Sequence, residues 1–128
     1  MMTADVDNLV LQEGVAIQGY GNGLANALFG SANGNLLNGG GGADFLTGGG
    51  GNDVFVFAAG EAAGDMVADF AGNGGGAGDS LLFVGYGSGA TFTNIDTTHW
   101  QVNYNGTAHE IITFMNGAAI DVTDVAFM

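Results

Sequence analysis

The sequence predicts an all-β chain in one domain: a coil of short parallel strands over about residues 1–57, then a β-rich cap with antiparallel hairpins over about 58–128. Three observations predict it. A bulky apolar residue returns every nine positions through the glycine-rich centre. Asp or Asn stands two residues before each of them. Beyond residue 57 the glycine period stops, and strand-like runs separated by turn residues follow.

Two copies of the repeat are complete. Gly39-Gly40-Gly41-Gly42-Ala43-Asp44-Phe45-Leu46-Thr47 is followed at once by Gly48-Gly49-Gly50-Gly51-Asn52-Asp53-Val54-Phe55-Val56. Both fit G-G-x-G-x-D-x-U-x, where U is large and apolar. One step back, Gly30–Asn38 keeps the first glycine and Leu37 but carries Asn35 at position six and Asn33 at position four. Another step back, Gly21–Phe29 keeps Gly21 and Leu28, with Asn26 at position six. Further upstream only Asn8 and Val10 fall in phase. The 12–20 window does not match, with Ile17 at position six and Gly19 at U. A flexible glycine linker would have no reason to place an apolar residue in every ninth position.

The spacing dictates a geometry. Six glycine-rich residues turn the chain and three make a short strand with U inward. Two such units form a coil of 18 residues, so Asn26 stacks under Asp44 and Asn35 under Asp53. Glycine is required where the turns visit backbone angles that a Cβ forbids. Each gap between stacked turns offers the oxygen of residue six and several backbone carbonyls. Such oxygen cages hold Ca²⁺ at about 2.3–2.6 Å and suit the tighter Mg²⁺ octahedron less well. The candidate ligand set is Gly39, Gly41, Gly42, Asp44, Gly48, Gly50, Gly51 and Asp53, with Asn26 and Asn35 as neutral, weaker members. An asparagine hydrogen-bond ladder is the alternative for the Asn turns. About one to three sites centred on Asp44 and Asp53 are expected. Asp65 and Asp69, four apart and expected on one face of a strand, are candidates to close the last site.

In the cap, strand runs are predicted at Asp53–Ala58, Asp65–Phe70, Ser80–Val84, Thr91–Thr93, His99–Tyr104, His109–Phe114, Ala119–Val122 and Val125–Met128. Asn105-Gly106 between two alternating segments is the strongest hairpin signal. Trp100, Val102 and Tyr104 share one face of the first arm, and Glu110, Ile112 and Phe114 share one of the second. Residues 71–78 read as a loop, and Glu61-Ala62-Ala63 as a single helical turn.

Composition narrows the function classes. The 128 residues include 26 Gly and 13 Asp plus Glu, and no Lys, Arg, Pro or Cys. With no Lys or Arg, histidine is the one side chain left that could pair a carboxylate inside the chain, and compaction costs free energy unless an external cation intervenes. No nucleic-acid partner is expected, because phosphate neutralisation needs Lys or Arg. Without cysteine there is neither a disulfide framework nor a thiolate zinc site. Met1-Met2-Thr3-Ala4-Asp5 lacks the basic and apolar regions of a secretory signal. No apolar run reaches the roughly 18 residues of a membrane helix, so no membrane insertion is expected.

These repeats resemble the RTX (repeats-in-toxin) calcium-binding nonapeptide family, specifically over Gly39–Val56 and more weakly over Gly21–Asn38. Gly64-Asp65-Met66-Val67-Ala68-Asp69-Phe70, Gly78-Asp79-Ser80-Leu81 and Asp124-Val125-Ala126-Phe127-Met128 are similar to the family's C-terminal segments. The resemblance implies a right-handed parallel β-roll and folding on calcium outside the cell. It also implies export by a type I secretion apparatus built on an ABC transporter, with a secretion-signal-like C-terminal end.

No enzyme is expected. His99 and His109 flank the hairpin tip, where they could face each other across it, but are too few for a transition-metal site. Glu110 with Asp121 or Asp124 has nothing to bring it together as a glycosidase pair. Ser31, Ser80 and Ser88 lack a nucleophile elbow. Two function classes remain. One is a secreted calcium-binding folding and export tail. The other is a polysaccharide-binding, surface-layer or adhesin module on the same roll, for which Trp100 and Tyr104 are candidate stacking residues. The oligomeric state and any parent activity are left open.

Overall fold

The computed structural model describes residues 8–11, 18–72 and 78–128, with the backbone alone at Val122. Its strands are β1 (Asn8–Val10), β2 (Gln18–Tyr20), β3 (Ala27–Phe29), β4 (Leu36–Asn38), β5 (Phe45–Thr47), β6 (Val54–Ala58), β7 (Met66–Val67), β8 (Ser80–Val84), β9 (Thr91–Asn94), β10 (His99–Tyr104), β11 (Ala108–Phe114) and β12 (Val125–Phe127). No α-helix occurs among the described residues.

Two sheets form, ordered β1-β3-β5-β7-β11-β10-β9 and β12-β8-β6-β4-β2. Through β8, successive strands alternate between the sheets and pair in parallel with the strand two earlier. The registers Ala27↔Phe45, Gln18↔Leu36 and Leu36↔Val54 all advance by 18 residues, as two nine-residue units require. The last coils are longer: Phe45 pairs with Met66 and Val54 with Ser80.

The U residues form the core seam. Leu28, Leu46 and Val67 point inward from one sheet and Leu37, Phe55 and Leu81 from the other, all with no exposed surface. Burial of each such side chain is worth about 1.5–3 kcal/mol relative to exposure. Their strands are only three residues long in β3, β4 and β5, so neither strand length nor local propensity would hold them without this seam.

The upstream phase is corrected. Leu9, not Val10, pairs with Leu28, and Val10 is 67% exposed. The nine-residue period therefore slips by one position between β1 and β2. Of the 12–20 window that lacks the motif, residues 12–17, Ile17 among them, lie outside the described residues; at its end β2 joins the coil, with Gly19 opposite Leu37 in the U position. A Cβ on Gly19 would stand 3.1 Å from Leu9 Cδ2 and 3.2 Å from Leu37 Cδ2, so neighbouring leucines fill the space that a U side chain would take.

In the cap, β9, β10 and β11 form an antiparallel meander, and β11 joins the coil by pairing in parallel with β7. The hairpin falls where predicted: Tyr104 pairs with Ala108, and Asn105 and Gly106 both adopt left-handed φ, 54° and 76°. Val102, Ile112 and Phe114 are fully buried on the predicted face. Three readings change. His99 pairs with Thr113 and His109 with Asn103, so the histidines do not face each other. The stretch predicted as a strand at Ala119–Val122 is irregular and leads into a 3₁₀ turn at Val122–Asp124 before β12. Glu61-Ala62-Ala63 lies in hydrogen-bonded turns, closed by Glu61 N–H on the Ala58 carbonyl and Asp65 N–H on the Ala62 carbonyl. Of the loop read at 71–78, residues 73–77 lie outside the described residues.

Candidate metal centre

The turns between strands stack in two columns. One contains Asn26, Asp44 and Asp65, and the other Asn35, Asp53 and Asp79. All six are buried. A backbone-to-carboxylate ladder runs up each column. Asp44 Oδ1 accepts the Asn26 N–H at 2.8 Å, and Asp65 Oδ1 accepts the Asp44 N–H at 2.9 Å. In the second column Asp53 Oδ1 accepts the Asn35 N–H at 2.8 Å, and Asp79 Oδ1 accepts the Asp53 N–H at 2.9 Å. One oxygen of each repeat Asp is thus committed to the turn below.

The other oxygen distinguishes Asp turns from Asn turns. In the Asn turns the amide oxygen points back into its own turn and accepts the N–H of position two, Asn22 to Asn26 Oδ1 at 2.9 Å and Ser31 to Asn35 Oδ1 at 2.7 Å. In the Asp turns the oxygen in the equivalent place is Oδ2. A Cβ on Gly39 would sit 2.2 Å from Asp44 Oδ2, and one on Gly48 the same distance from Asp53 Oδ2, so position one must be glycine to admit the carboxylate. Yet Asp44 Oδ2 and Asp53 Oδ2 are buried without a hydrogen-bond partner. A buried anionic oxygen left unpaired costs more than a neutral one, on the order of several kcal/mol.

The reason lies at position two. Gly40 and Gly49 hold φ of 81° and 85°, which Asn22 and Ser31 do not adopt. Their N–H groups swing away from the turn interior. Gly40 N–H donates to Asn38 Oδ1 at 3.0 Å, and Gly49 N–H to Asp69 Oδ2 at 2.8 Å.

Electrostatics agree with the geometry. Burial pushes the Asp44 carboxyl up to about 6, countered by its bond from Asn26 and reinforced by Glu61. Burial raises Asp53 likewise to about 6, with Asp79 and Asp69 adding repulsion. Burial, with the nearby charges of Asp44, Glu110 and Glu61, raises Asp65 to about 8. Asp79 is also raised by burial.

The glycines Gly41 and Gly50, at position three, face looser contacts, 3.6 Å to Gly23 Cα and 3.3 Å to Ala32 Cα. Gly42 and Gly51 press on the turn below, within 2.7 Å of Leu24 and 2.6 Å of Gly34 once a Cβ is added. Asp65 and Asp69 do not share a strand face. The strand spans only Met66–Val67; Asp65 immediately precedes it and Asp69 lies two residues beyond it. Asp65 serves the first column. Asp69 reaches the second, where its two oxygens accept Gly48 and Gly49 N–H at 2.9 and 2.8 Å.

Sequence reasoning missed Asp79, whose Oδ2 also accepts the Ala71 N–H at 2.9 Å. The signal was present: Asp79-Ser80-Leu81 repeats the D-x-U spacing at a buried Leu81. A longer coil hid it. Glu61 was missed as a charge near Asp44.

Chemically, the columns present anionic oxygens, main-chain carbonyls and no cationic side chain, a donor set that fits a hard divalent cation. Among the described residues no three Asp, Glu or His side chains gather into a cage, so carbonyls would have to complete any ligand set. Compared with known proteins, the chain matches no family model and no curated protein.

Proposed function

We propose that this chain is a non-catalytic calcium-binding module, a right-handed parallel β-roll of the RTX kind with a β cap, which folds on Ca²⁺ outside the cell and serves as the C-terminal folding and type I secretion tail of a longer protein. One observation carries the reading. The Asn turns satisfy their interior oxygen from their own backbone, whereas the two Asp turns bury an unpaired carboxylate oxygen in a chain without Lys or Arg. Asp44 and Asp53, with the carbonyls of their turns, would hold the ion, which supplies the positive charge the polypeptide lacks.

The mechanism is linkage. Where calcium is scarce, repulsion among carboxylates and the cost of burying Asp44 and Asp53 favour the open chain, which an ABC transporter can thread. A ligand that binds only the folded state shifts the equilibrium toward folding by mass action. Circular dichroism during calcium titration, with magnesium as control, tests this. A coil-to-β transition with calcium alone is expected. A chain equally folded in chelator at neutral pH would overturn it.

A second reading, a polysaccharide-binding or surface-layer module on the same roll, draws on one feature of the cap. A cleft of about 490 Å³ is lined by Thr91, Phe92, Trp100, Ile120, Asp121, Val125 and Phe127, with the Phe92 and Trp100 rings stacked at 5.0 Å. Tyr104 does not contribute, since it packs edge-on against Tyr86 at 4.8 Å. Retarded migration in polysaccharide gels, abolished by Trp100→Ala, is the expected signature; unretarded migration removes this reading.

A further inference from the structure

We propose that Asn38 and Asp69 are positioning residues that keep Asp44 Oδ2 and Asp53 Oδ2 open to a cation by drawing the position-two N–H out of each glycine turn. The inference rests on the calcium reading above and deepens it: it assigns what makes one turn a cation site and the next a self-satisfied one.

Four turns allow an internal comparison. They share a polar residue at position six, a glycine at position one and an interior oxygen. Two have that oxygen bonded to the position-two N–H, from Asn22 and Ser31. Two have it orphaned, and in both the position-two N–H bonds elsewhere, to Asn38 Oδ1 or Asp69 Oδ2. The acceptors come from different places. Asn38 ends β4, immediately before its own turn, whereas Asp69 follows β7 in the next coil. The same outcome from unrelated sources argues that the diversion matters, rather than the particular side chain.

Glycine at position two is necessary for this and not sufficient. A φ of 81° or 85° marks a turn path that glycine follows readily, and along it the partly buried Gly40 N–H and the exposed Gly49 N–H take their acceptors from Asn38 and Asp69; the loss of an acceptor is costly at the partly buried Gly40. Without Asn38, the Gly40 N–H can return to Asp44 Oδ2, and the Asp turn then closes on itself as the Asn26 turn does. The carboxylate oxygen is consumed before a cation arrives.

The test is Asn38→Ala, with Asn38→Asp as the variant that retains an acceptor. Calcium midpoints are read by circular dichroism at neutral pH, and the β signal of the chelated chain is read at pH 5. Asn38→Ala should raise the calcium midpoint about tenfold, the equivalent of one hydrogen bond, and leave the chelated chain at pH 5 at least as β-rich as the parent. Asn38→Asp should restore most of the midpoint. An unchanged midpoint in Asn38→Ala, or an equal loss of β signal with and without calcium, overturns the positioning role while leaving the calcium reading intact. An unmodified chain whose fold ignores calcium overturns both.

Discussion

Asp65 Oδ1 accepts the Asp44 N–H at 2.9 Å, so two residues with buried carboxylates are tied into one column of a chain that has no Lys or Arg to separate them. This relationship sets a pH dependence for the metal-free protein. Burial raises Asp44 and Asp53 to about 6 and Asp65 to about 8, from an ordinary 3.8. Between the ordinary and the raised value the folded state binds more protons than the unfolded state. Stability is therefore greatest at acid pH and falls as pH rises through that window. The fall ends near pH 6 for Asp44 and Asp53 and near pH 8 for Asp65. In chelator, lowering pH from 8 to 5 should increase the β signal, protons standing in for calcium. A flat profile would contradict the buried carboxylates.

Asp44→Asn combined with Asp53→Asn should act with opposite signs in the two conditions. Each Asn keeps an oxygen for the N–H of Asn26 or Asn35 and removes a buried charge. The chelated chain should become more β-rich. The calcium needed for half-folding should rise about tenfold or more, because affinity follows ligand charge. Parallel changes in both conditions, measured by the same titration, would show the carboxylates to be merely structural.

Much of the coil was legible because its period is enforced by burial. Leu28, Leu37, Leu46 and Phe55 all point inward, and nine-residue spacing delivers them in turn from short strands on alternate sheets. The Asn105-Gly106 hairpin was legible because both residues tolerate the left-handed backbone that such a turn requires. Illegible features share one cause, tertiary contact overriding local pattern. Gly19 holds a core position because leucines of adjacent coils fill its space. Asp79 joins its column across a lengthened coil. Asp65 and Asp69 part company because β7 is cut to two residues, after which the chain crosses to the other column. The opposite φ of position two in Asp and Asn turns was partly visible, since only the Asp turns carry glycine there.

Gly49→Ala should be costly and Gly23→Ala harmless, although both lie in glycine turns. Gly49 has φ of 85°, and a Cβ there would stand 2.3 Å from the Ser31 carbonyl oxygen. A Cβ on Gly23 meets nothing within 4 Å. The expected loss is about 3 kcal/mol for Gly49→Ala and within about 0.5 kcal/mol for Gly23→Ala. Urea unfolding in saturating calcium measures both. Equal losses would mean that the tight stacking of turns is not what the glycines serve.

Glu110 anchors the cap to the coil, and its chemistry separates two conservative substitutions. Its Oε1 accepts the Tyr86 hydroxyl at 2.8 Å and the Gly60 N–H at 3.2 Å, and its Oε2 accepts the Ala62 N–H at 3.2 Å. Three donors converge on a group that only accepts. Glu110→Gln places an NH₂ where an acceptor is required, and in either amide orientation at least one buried donor faces another donor. The expected cost is about 2–3 kcal/mol. Tyr86→Phe removes one donor and leaves the carboxylate its two backbone partners, at a cost of about 1 kcal/mol. Because Gly60 and Ala62 lead directly into Asp65, the larger loss should also raise the calcium midpoint, whereas Tyr86→Phe should barely move it. If Glu110→Gln is the milder of the two in urea unfolding, the cap is held by aromatic packing around Tyr86, against Phe83 at 5.6 Å and Tyr104 at 4.8 Å, and not by the carboxylate.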